Sequence, residues 1–210
     1  MLETLATQSL AVALLMWVVL YASDYYLSLL GSRMHKQAVS QPIVYQGGIE
    51  LTPQFREDVA SLRLLSPRWV RALIAVGAAL ALLWLGAVRI LQVPRLFSLA
   101  IGGVVLLEAA VHLRHLRVLM LLRRLRKGQG PTGRVEYPRW FLFDQSAVEL
   151  AGFGLLYLFL FMVTSSLFIL GGAVFVSALS LRHWLWGRTE LARSEPAQPL
   201  IGSFDSMTAG

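Results

Sequence analysis

Four stretches of this chain are apolar over lengths suited to crossing a membrane. They run from about Leu5 to Gly31, Val70 to Leu91, Leu96 to Leu122 and Val148 to Leu181. A helix that crosses the hydrocarbon core of a bilayer needs about 20 apolar residues. The 210 residues are 56% hydrophobic and only 15% charged, well outside the composition of a soluble domain. The sequence therefore predicts an all-α integral membrane protein, a bundle of four transmembrane helices.

We interpret residues 1–186 as a single transmembrane domain. Two long connections, 32–67 and 123–145, separate the first span from the second and the third from the fourth. The remaining segment, 187–210, is polar and contains two prolines, which is typical of a disordered tail.

Lysine and arginine are concentrated in and beside the two long connections. By the positive-inside rule both connections are cytoplasmic, which places both termini outside the cytoplasm of a bacterial inner membrane. The fourth stretch is long for one crossing and contains Gly171-Gly172. A break there would move the C-terminus inside, but we find no polar turn in this stretch and expect a single helix.

The net charge of +7 bears on partners. Basic residues that flank membrane spans usually set orientation and contact anionic lipids, so we expect membrane lipids and no nucleic acid. Cysteine is absent from the sequence, which excludes disulfides and thiolate chemistry.

The first connection contains signals of local order. Residues 43–51 have β-prone flanks around Gly47-Gly48, which predicts a small hairpin. After Thr52-Pro53, apolar residues recur at Phe55, Val59 and Leu62, which predicts an amphipathic cytoplasmic helix on the membrane surface. Ser66-Pro67 then combines a capping residue with proline and is predicted to begin the second span.

A polar stripe interrupts the third span. Glu108, His112 and His115 are four and three residues apart, so they share one face of a helix. In the first span, Asp24 lies at about the depth of His112, with Tyr21 and Tyr25 nearby. Because a charge that faces lipid costs several kcal/mol, about 2.5 to 3.5 even on the lenient scale, we expect the two polar stripes to face each other.

Four interpretations of Asp24, Glu108, His112 and His115 stay open. The group is a hydrogen-bonded network that holds helices in register, or a site for a divalent transition metal, whose ligands are imidazole and carboxylate. Alternatively it relays protons or binds a transported substrate. In the fourth interpretation it is the active site of a membrane-embedded enzyme that acts on a lipid or isoprenoid headgroup, with a histidine as general base oriented by Asp24. Tyr21 and Tyr25 are candidate ligand-binding or proton-relay residues beside it.

The other polar residues in and near the spans are explained without a role in the polar stripe. Arg114 and Arg117 are expected to extend to the cytoplasmic headgroups. Ser146 to Glu149 matches a capping box at the start of the fourth span. With four spans, His183 falls on the outer side, away from the stripe.

The sequence contains no recognisable catalytic motif. We therefore favour a non-enzymatic accessory or assembly subunit whose small-residue helix surfaces pack against another membrane protein or a second copy of the chain. The alternative is a metal- or ligand-handling protein, a transporter or metal-dependent enzyme, that uses the acid and histidine cluster from the cytoplasmic side.

Overall fold

The structure is a computed structural model that describes residues 2–37, 43–46, 48, 50–129 and 135–194. Its helices are α1 (Leu2–Gln8), α2 (Leu10–Gln37), α3 (Arg56–Ala60), α4 (Pro67–Trp84, continued by a π-helix over Leu85–Ile90), α5 (Pro94–Arg126), α6 (Arg139–Thr164) and α7 (Leu167–Arg193). Two short strands are β1 (Ile43–Tyr45) and β2 (Val135–Tyr137).

Five helices of the described chain are long and apolar enough to cross a membrane: α2, α4 with its π-helical extension, α5, α6 and α7. This agrees with an all-α membrane protein, but the predicted count of four spans is not confirmed. The predicted fourth span, 148–181, is divided between α6 and α7. Five crossings would place the two ends of the chain on opposite sides. The expectation that both termini lie outside depends on four spans, whereas the described chain has five candidate spans.

The break between α6 and α7 lies at Thr164-Ser165-Ser166 and not at Gly171-Gly172. Ser165 has a left-handed backbone with φ 54°, and its N–H donates to the Phe161 carbonyl at 2.7 Å. The Thr164 hydroxyl donates to the Leu160 carbonyl at 2.7 Å and accepts from the Ser166 N–H at 3.4 Å. Hydroxyl groups thus satisfy part of the backbone that the reversal exposes, so the turn forms without glycine, proline or charge.

α5 and α7 approach each other at backbone contact. A Cβ added to Gly171 would overlap the Leu99 carbonyl, and one added to Gly102 would overlap the backbone of Phe168. Small residues allow this approach because they have little or no side chain between the two backbones. Close approach matters in lipid, where dispersion contacts and not hydrophobic burial hold helices together. The glycines of α7 are therefore used in packing within the chain.

α4 is attached to the first two helices through tryptophan. The Trp17 indole N–H donates to the Leu73 carbonyl at 3.1 Å, and the Trp84 indole N–H donates to the Thr7 carbonyl at 3.0 Å. The surrounding apolar cluster joins α2, α4 and α5. α5 is consequently packed against α2 on one side and α7 on another.

The described part of the connection from α2 to α4, residues 43–46, 48 and 50–66, lies beside the helices, and we call it the cap. β1 pairs in parallel with β2, with Tyr45 opposite Tyr137. The predicted hairpin is not found among the described residues of this segment, and residues 47 and 49 lie outside them. The hairpin prediction considered only residues near β1 in the sequence. The strand that pairs with β1 lies in the second connection, about 90 residues later.

The predicted amphipathic helix is reduced to α3, one short turn that packs on the protein. Val59 is only 2% exposed and contacts the cluster around Trp69. Asp58 is also buried and accepts from the Ser66 hydroxyl at 2.6 Å. Ser66 in turn accepts from the Trp69 N–H at 3.2 Å with Pro67 following, which confirms the predicted start of α4.

The C-terminal helix is longer than expected. α7 continues to Arg193, past the predicted boundary at 186. The rest of the predicted disordered tail, residues 195–210, lies outside the described residues.

The glycine contact yields a stability prediction. Gly171→Ala would push a methyl group into the Leu99 carbonyl, and overpacking of this kind costs about 1–3 kcal/mol. We expect a lower midpoint of thermal unfolding in mild detergent. Gly152→Ala is the matched control, because nothing lies within 4 Å of its added Cβ. Equal midpoints for both variants would contradict the packing described for α5 and α7.

Candidate intramembrane acid cavity

The polar stripes of α2 and α5 lie against each other. His115 Nε2 is 2.8 Å from Asp24 Oδ1, which is an ion pair when the imidazole is protonated. One turn away, His112 Nε2 is 2.7 Å from the Ser23 hydroxyl oxygen. The structure therefore brings three of the four predicted polar side chains, Asp24, His112 and His115, into interhelical contacts.

The contacts of His112 determine its tautomer. Its Nδ1 lies 2.7 Å from the Glu108 carbonyl oxygen, which only accepts, so Nδ1 carries a proton. The Ser23 hydroxyl lies 2.7 Å from Nε2 and 2.9 Å from the Leu20 carbonyl oxygen, and its single hydrogen can serve one of these two acceptors. Through these contacts His112 links α2 to α5.

Glu108 differs from its neighbours. Its side chain is buried, at 8% exposure, and its Oε2 atom has no hydrogen-bond partner among the described residues. Glu108 also lies about 9 Å deeper along α5 than Arg114, at a rise of about 1.5 Å per residue. A buried carboxyl oxygen without a partner is costly, so an exception of this kind calls for a functional explanation.

A cavity of about 260 Å³ adjoins Glu108, and we call it the acid cavity. Three carboxyl groups line it: Asp24 from α2, Glu50 from the cap and Glu108 from α5. His115 and His183 also contribute to its wall. The cavity therefore collects ionisable groups from four separate parts of the chain.

The cap closes one side of the acid cavity through Glu50. Its Oε2 accepts from the Ser28 hydroxyl of α2 at 2.9 Å, and its Oε1 accepts from the Thr52 N–H at 2.8 Å. Leu51 and Thr52 line the cavity beside it. The segment that the sequence describes as a polar cytoplasmic loop is thus part of the site.

Two arginines of α5 form ion pairs with a carboxylate of α6. Arg114 Nε is 3.4 Å from Glu149 Oε2, and Arg117 forms a second ion pair with the same carboxylate. The predicted extension of both arginines to the headgroups is wrong for Arg114, whose side chain is only 18% exposed. The capping box is wrong as well, because α6 begins at Arg139 and Glu149 lies in its interior.

The division of the fourth span also relocates His183. Its Nδ1 lies 2.5 Å from the Ser146 hydroxyl oxygen, and this contact joins α7 to α6. Together with its place in the wall of the acid cavity, this contradicts the expectation that His183 lies on the far side of the membrane from the stripe. The error follows directly from the missed reversal at Ser165.

The two tyrosines occupy different settings. Tyr21 lines the acid cavity and stacks on Trp17, with ring centroids 4.4 Å apart. Tyr25 is 3% exposed, stacks on Trp69 at 5.1 Å and donates to the Arg63 carbonyl at 2.7 Å. The Tyr25 hydroxyl is therefore already used to hold the cap on α2.

Among the described residues, no three histidine, aspartate or glutamate side chains are grouped closely enough to hold a metal ion. In the combination proposed from spacing alone, Asp24 contacts His115, whereas the His112 side chain contacts Ser23 and the Oε2 atom of Glu108 has no partner in the described structure. Geometry thus offers no support for the divalent metal.

Glu50 and His183 are not among the site residues predicted from the sequence. The position of Glu50 on the cytoplasmic side of the stripe permits a lid over the cluster, but a solvated loop is the simpler expectation for a polar connection. His183 could have been found by testing a five-span topology, because that topology returns α7 to the depth of His115.

Comparison with protein-family models, with curated proteins and with solved structures finds no match to this chain.

Proposed function

We propose that the chain is an integral protein of a bacterial inner membrane with its N-terminus outside and its C-terminus in the cytoplasm. The five apolar helices support a membrane location, and the positions of basic residues support this orientation. With α7 returning inward, Arg182, Arg188 and Arg193 join the side of the two basic connections. Arg89 and Arg95 are the basic residues near the short α4–α5 turn on the opposite side. The bias required by the positive-inside rule is therefore stronger with five spans than with four.

The orientation predicts the outcome of reporter fusions. Alkaline phosphatase fused after Arg193 should be inactive and green fluorescent protein fused there should be fluorescent, because both reporters would remain in the cytoplasm. Fusions in the turn between α4 and α5 provide the control and should give the reverse pattern. An active phosphatase after Arg193 would contradict the proposed orientation.

Within this topology, the geometry best supports a ligand-handling membrane protein that binds a cation in the acid cavity. The observation that carries the proposal is Glu108, a buried carboxyl group whose Oε2 has no partner in the described structure. A protonated amine supplies both the positive charge and the hydrogen-bond donors that this atom lacks. The ligand-handling alternative is therefore preferred here to a purely structural network.

The charges around the acid cavity favour a cation over an anion. Its three carboxyl groups face the guanidinium groups of Arg114 and Arg117, and both of those are paired with a fourth carboxyl, Glu149. Asp24 has His115 as its partner, and Glu50 is held by neutral donors. Negative charge is thus in excess, and it is least compensated at Glu108.

Access to the cavity is expected from the cytoplasmic side. Glu50 and Thr52 belong to the cap, which hydrogen bonds hold to α2 at Ser28, Tyr25 and Lys36. Val59 and Phe55 of the cap also pack against Tyr25. The cap therefore covers the cytoplasmic side of the cavity, and a ligand from that side would pass beside Glu50.

The proposal predicts selective chemical labelling of Glu108. A hydrophobic carbodiimide such as dicyclohexylcarbodiimide reacts with protonated carboxyl groups in apolar surroundings. In protein in mild detergent, peptide mass spectrometry should find the label at Glu108 and not at the doubly ion-paired Glu149. A long-chain alkylammonium ion should slow this labelling, whereas an alkyl sulfate of equal chain length should not.

Glu108→Gln completes the test. It should remove the label and leave the unfolding midpoint unchanged or higher, because a neutral amide replaces a buried unpaired acid. Protection by the cation and the anion to the same extent, or a lower midpoint in Glu108→Gln, would contradict a cation site. Labelling that no ammonium ion affects would leave proton relay by Glu108 as the better explanation.

An accessory or assembly subunit remains the second candidate, and an exposed face of α4 favours it. Ala75, Ala78 and Ala79 are exposed on one side of this helix, whereas the glycines of α5 and α7 are packed within the chain. Such a face suits close approach by a helix of another membrane protein or of a second copy.

The α4 face predicts a specific effect on assembly size. Ala78→Leu should shift the complex extracted from native membranes toward the size of the single chain on native gels, because it blocks close helix approach. Val148→Leu, which adds bulk to an exposed position of α6, is the control and should leave the size unchanged. A wild-type protein that already migrates as a single chain would contradict the accessory role.

A further inference from the structure

A second and larger cavity, of about 550 Å³, lies between α5, α6 and the two strands. Arg114, Arg117 and Arg124 line it, so we call it the arginine cleft. It shares part of one wall with the acid cavity, including Arg114 and Leu51, but it opens along a different face of α5. The acid cavity does not account for it.

The three arginines form one column on α5. They are three and seven residues apart, a spacing that places side chains on the same helix face. From Arg114 to Arg124 the column extends about 15 Å along the axis. The apolar part of α5 that precedes Arg114 has about the length of the hydrocarbon core, so the column covers the depth of the lipid headgroups.

The charge in the arginine cleft is not balanced within the cleft. Glu149 is the only carboxylate among the described residues of its lining, and it pairs with Arg114 and Arg117. Arg124 lines the same cleft on the exposed side. Because Arg114 and Arg117 also face the carboxyl groups of the acid cavity, the positive charge available to an anion is greatest at Arg124, for which the described residues provide no ion pair.

Neutral donors add to the arginines. Tyr45 and Tyr137 stack across the paired strands, with ring centroids 5.9 Å apart, and both line the cleft. Burial, together with the adjacent Tyr137, raises the pKa of Tyr45 above its usual value. The Tyr45 phenol therefore keeps its proton at neutral pH and can donate a hydrogen bond to an oxyanion.

The other wall of the cleft is apolar and open. Met120 is 56% exposed and Leu121 is 38% exposed, and both line the cleft on the same helix as the arginines. Val118 and Leu142 continue this surface. A ligand that fits both walls carries an anionic group beside a hydrocarbon chain.

We propose that the arginine cleft binds the phosphate group of an anionic amphiphile, with a membrane phospholipid as its source. Guanidinium groups recognise phosphate oxygens by paired hydrogen bonds, and basic pockets between membrane helices hold lipid headgroups in this way. The bound lipid would lie between α5 and α6 and contact β1 and β2. This inference is independent of the cation site, because it depends on Arg124 and the tyrosines and not on Glu108.

The test uses the full chain, purified in mild detergent and stripped of lipid, and native mass spectrometry. Dioleoyl phosphatidylglycerol, dioleoyl phosphatidylcholine and inorganic phosphate are titrated separately. Phosphatidylglycerol should bind more tightly than phosphatidylcholine. Arg124→Gln should weaken phosphatidylglycerol binding by about fivefold, as expected for one interfacial arginine. Arg124 is exposed, so its replacement should not prevent folding.

Matched variants separate a built site from general surface charge. Arg126→Gln makes the same charge change on the same helix, but Arg126 does not line the cleft, so phosphatidylglycerol binding should be unchanged. Arg124→Lys should keep part of the affinity, since it retains the charge and loses the paired donors. The single substitution Tyr45→Phe should also weaken phosphatidylglycerol binding relative to the wild type, because it removes a hydrogen-bond donor without altering the charge.

Three results would overturn the proposal or its lipid source. Equal binding of the two lipids, or equal losses in Arg124→Gln and Arg126→Gln, would show that no specific phosphate site exists in the cleft. Binding of inorganic phosphate that depends on Arg124, without binding of phosphatidylglycerol, would support the phosphate site and overturn the lipid as its source.

Discussion

At Gly102 and Gly171 the backbones of α5 and α7 lie in contact, and the positions of the other helices follow from this contact. α7 can approach so closely only because neither glycine has a Cβ. Its return brings His183 beside the acid cavity and joins α7 to Ser146 of α6. The opposite side of α5 is then left to face α2, and that side carries the polar stripe.

The contact between α2 and α5 has a different physical basis. In lipid an ionisable side chain must be paired or must face a protected interior. His115 with Asp24 and His112 with Ser23 satisfy this requirement. Glu108 is buried in the same stripe, and its Oε2 has no partner in the described structure. Because Glu108 lines a cavity, a bound ligand could supply that partner. The acid cavity and the arginine cleft meet at Arg114, so opposite charges are separated along a short length of one helix.

Several features could be predicted from the sequence because they depend on neighbouring residues. Ser66-Pro67 begins α4 as expected, and the 3–4 spacing from Glu108 to His115 places these residues on one helix face. The reversal at Thr164-Ser165-Ser166 could not be predicted with the same rules, because it relies on hydroxyl groups that bond to their own backbone. The pairing of β1 with β2 joins segments about 90 residues apart, and no local pattern contains that information.

Hydropathy and helical spacing by themselves determined that this chain is built from apolar helices and that α5 carries an acid and two histidines on one face. Both properties depend only on residues that lie within a few helical turns of each other in the sequence. Tertiary structure alone decided that Asp24 meets His115, that Glu50 closes the acid cavity and that Glu149 pairs with two arginines. Each of those contacts joins residues from different helices or loops, and their distances depend on how closely glycine allows the helices to pack.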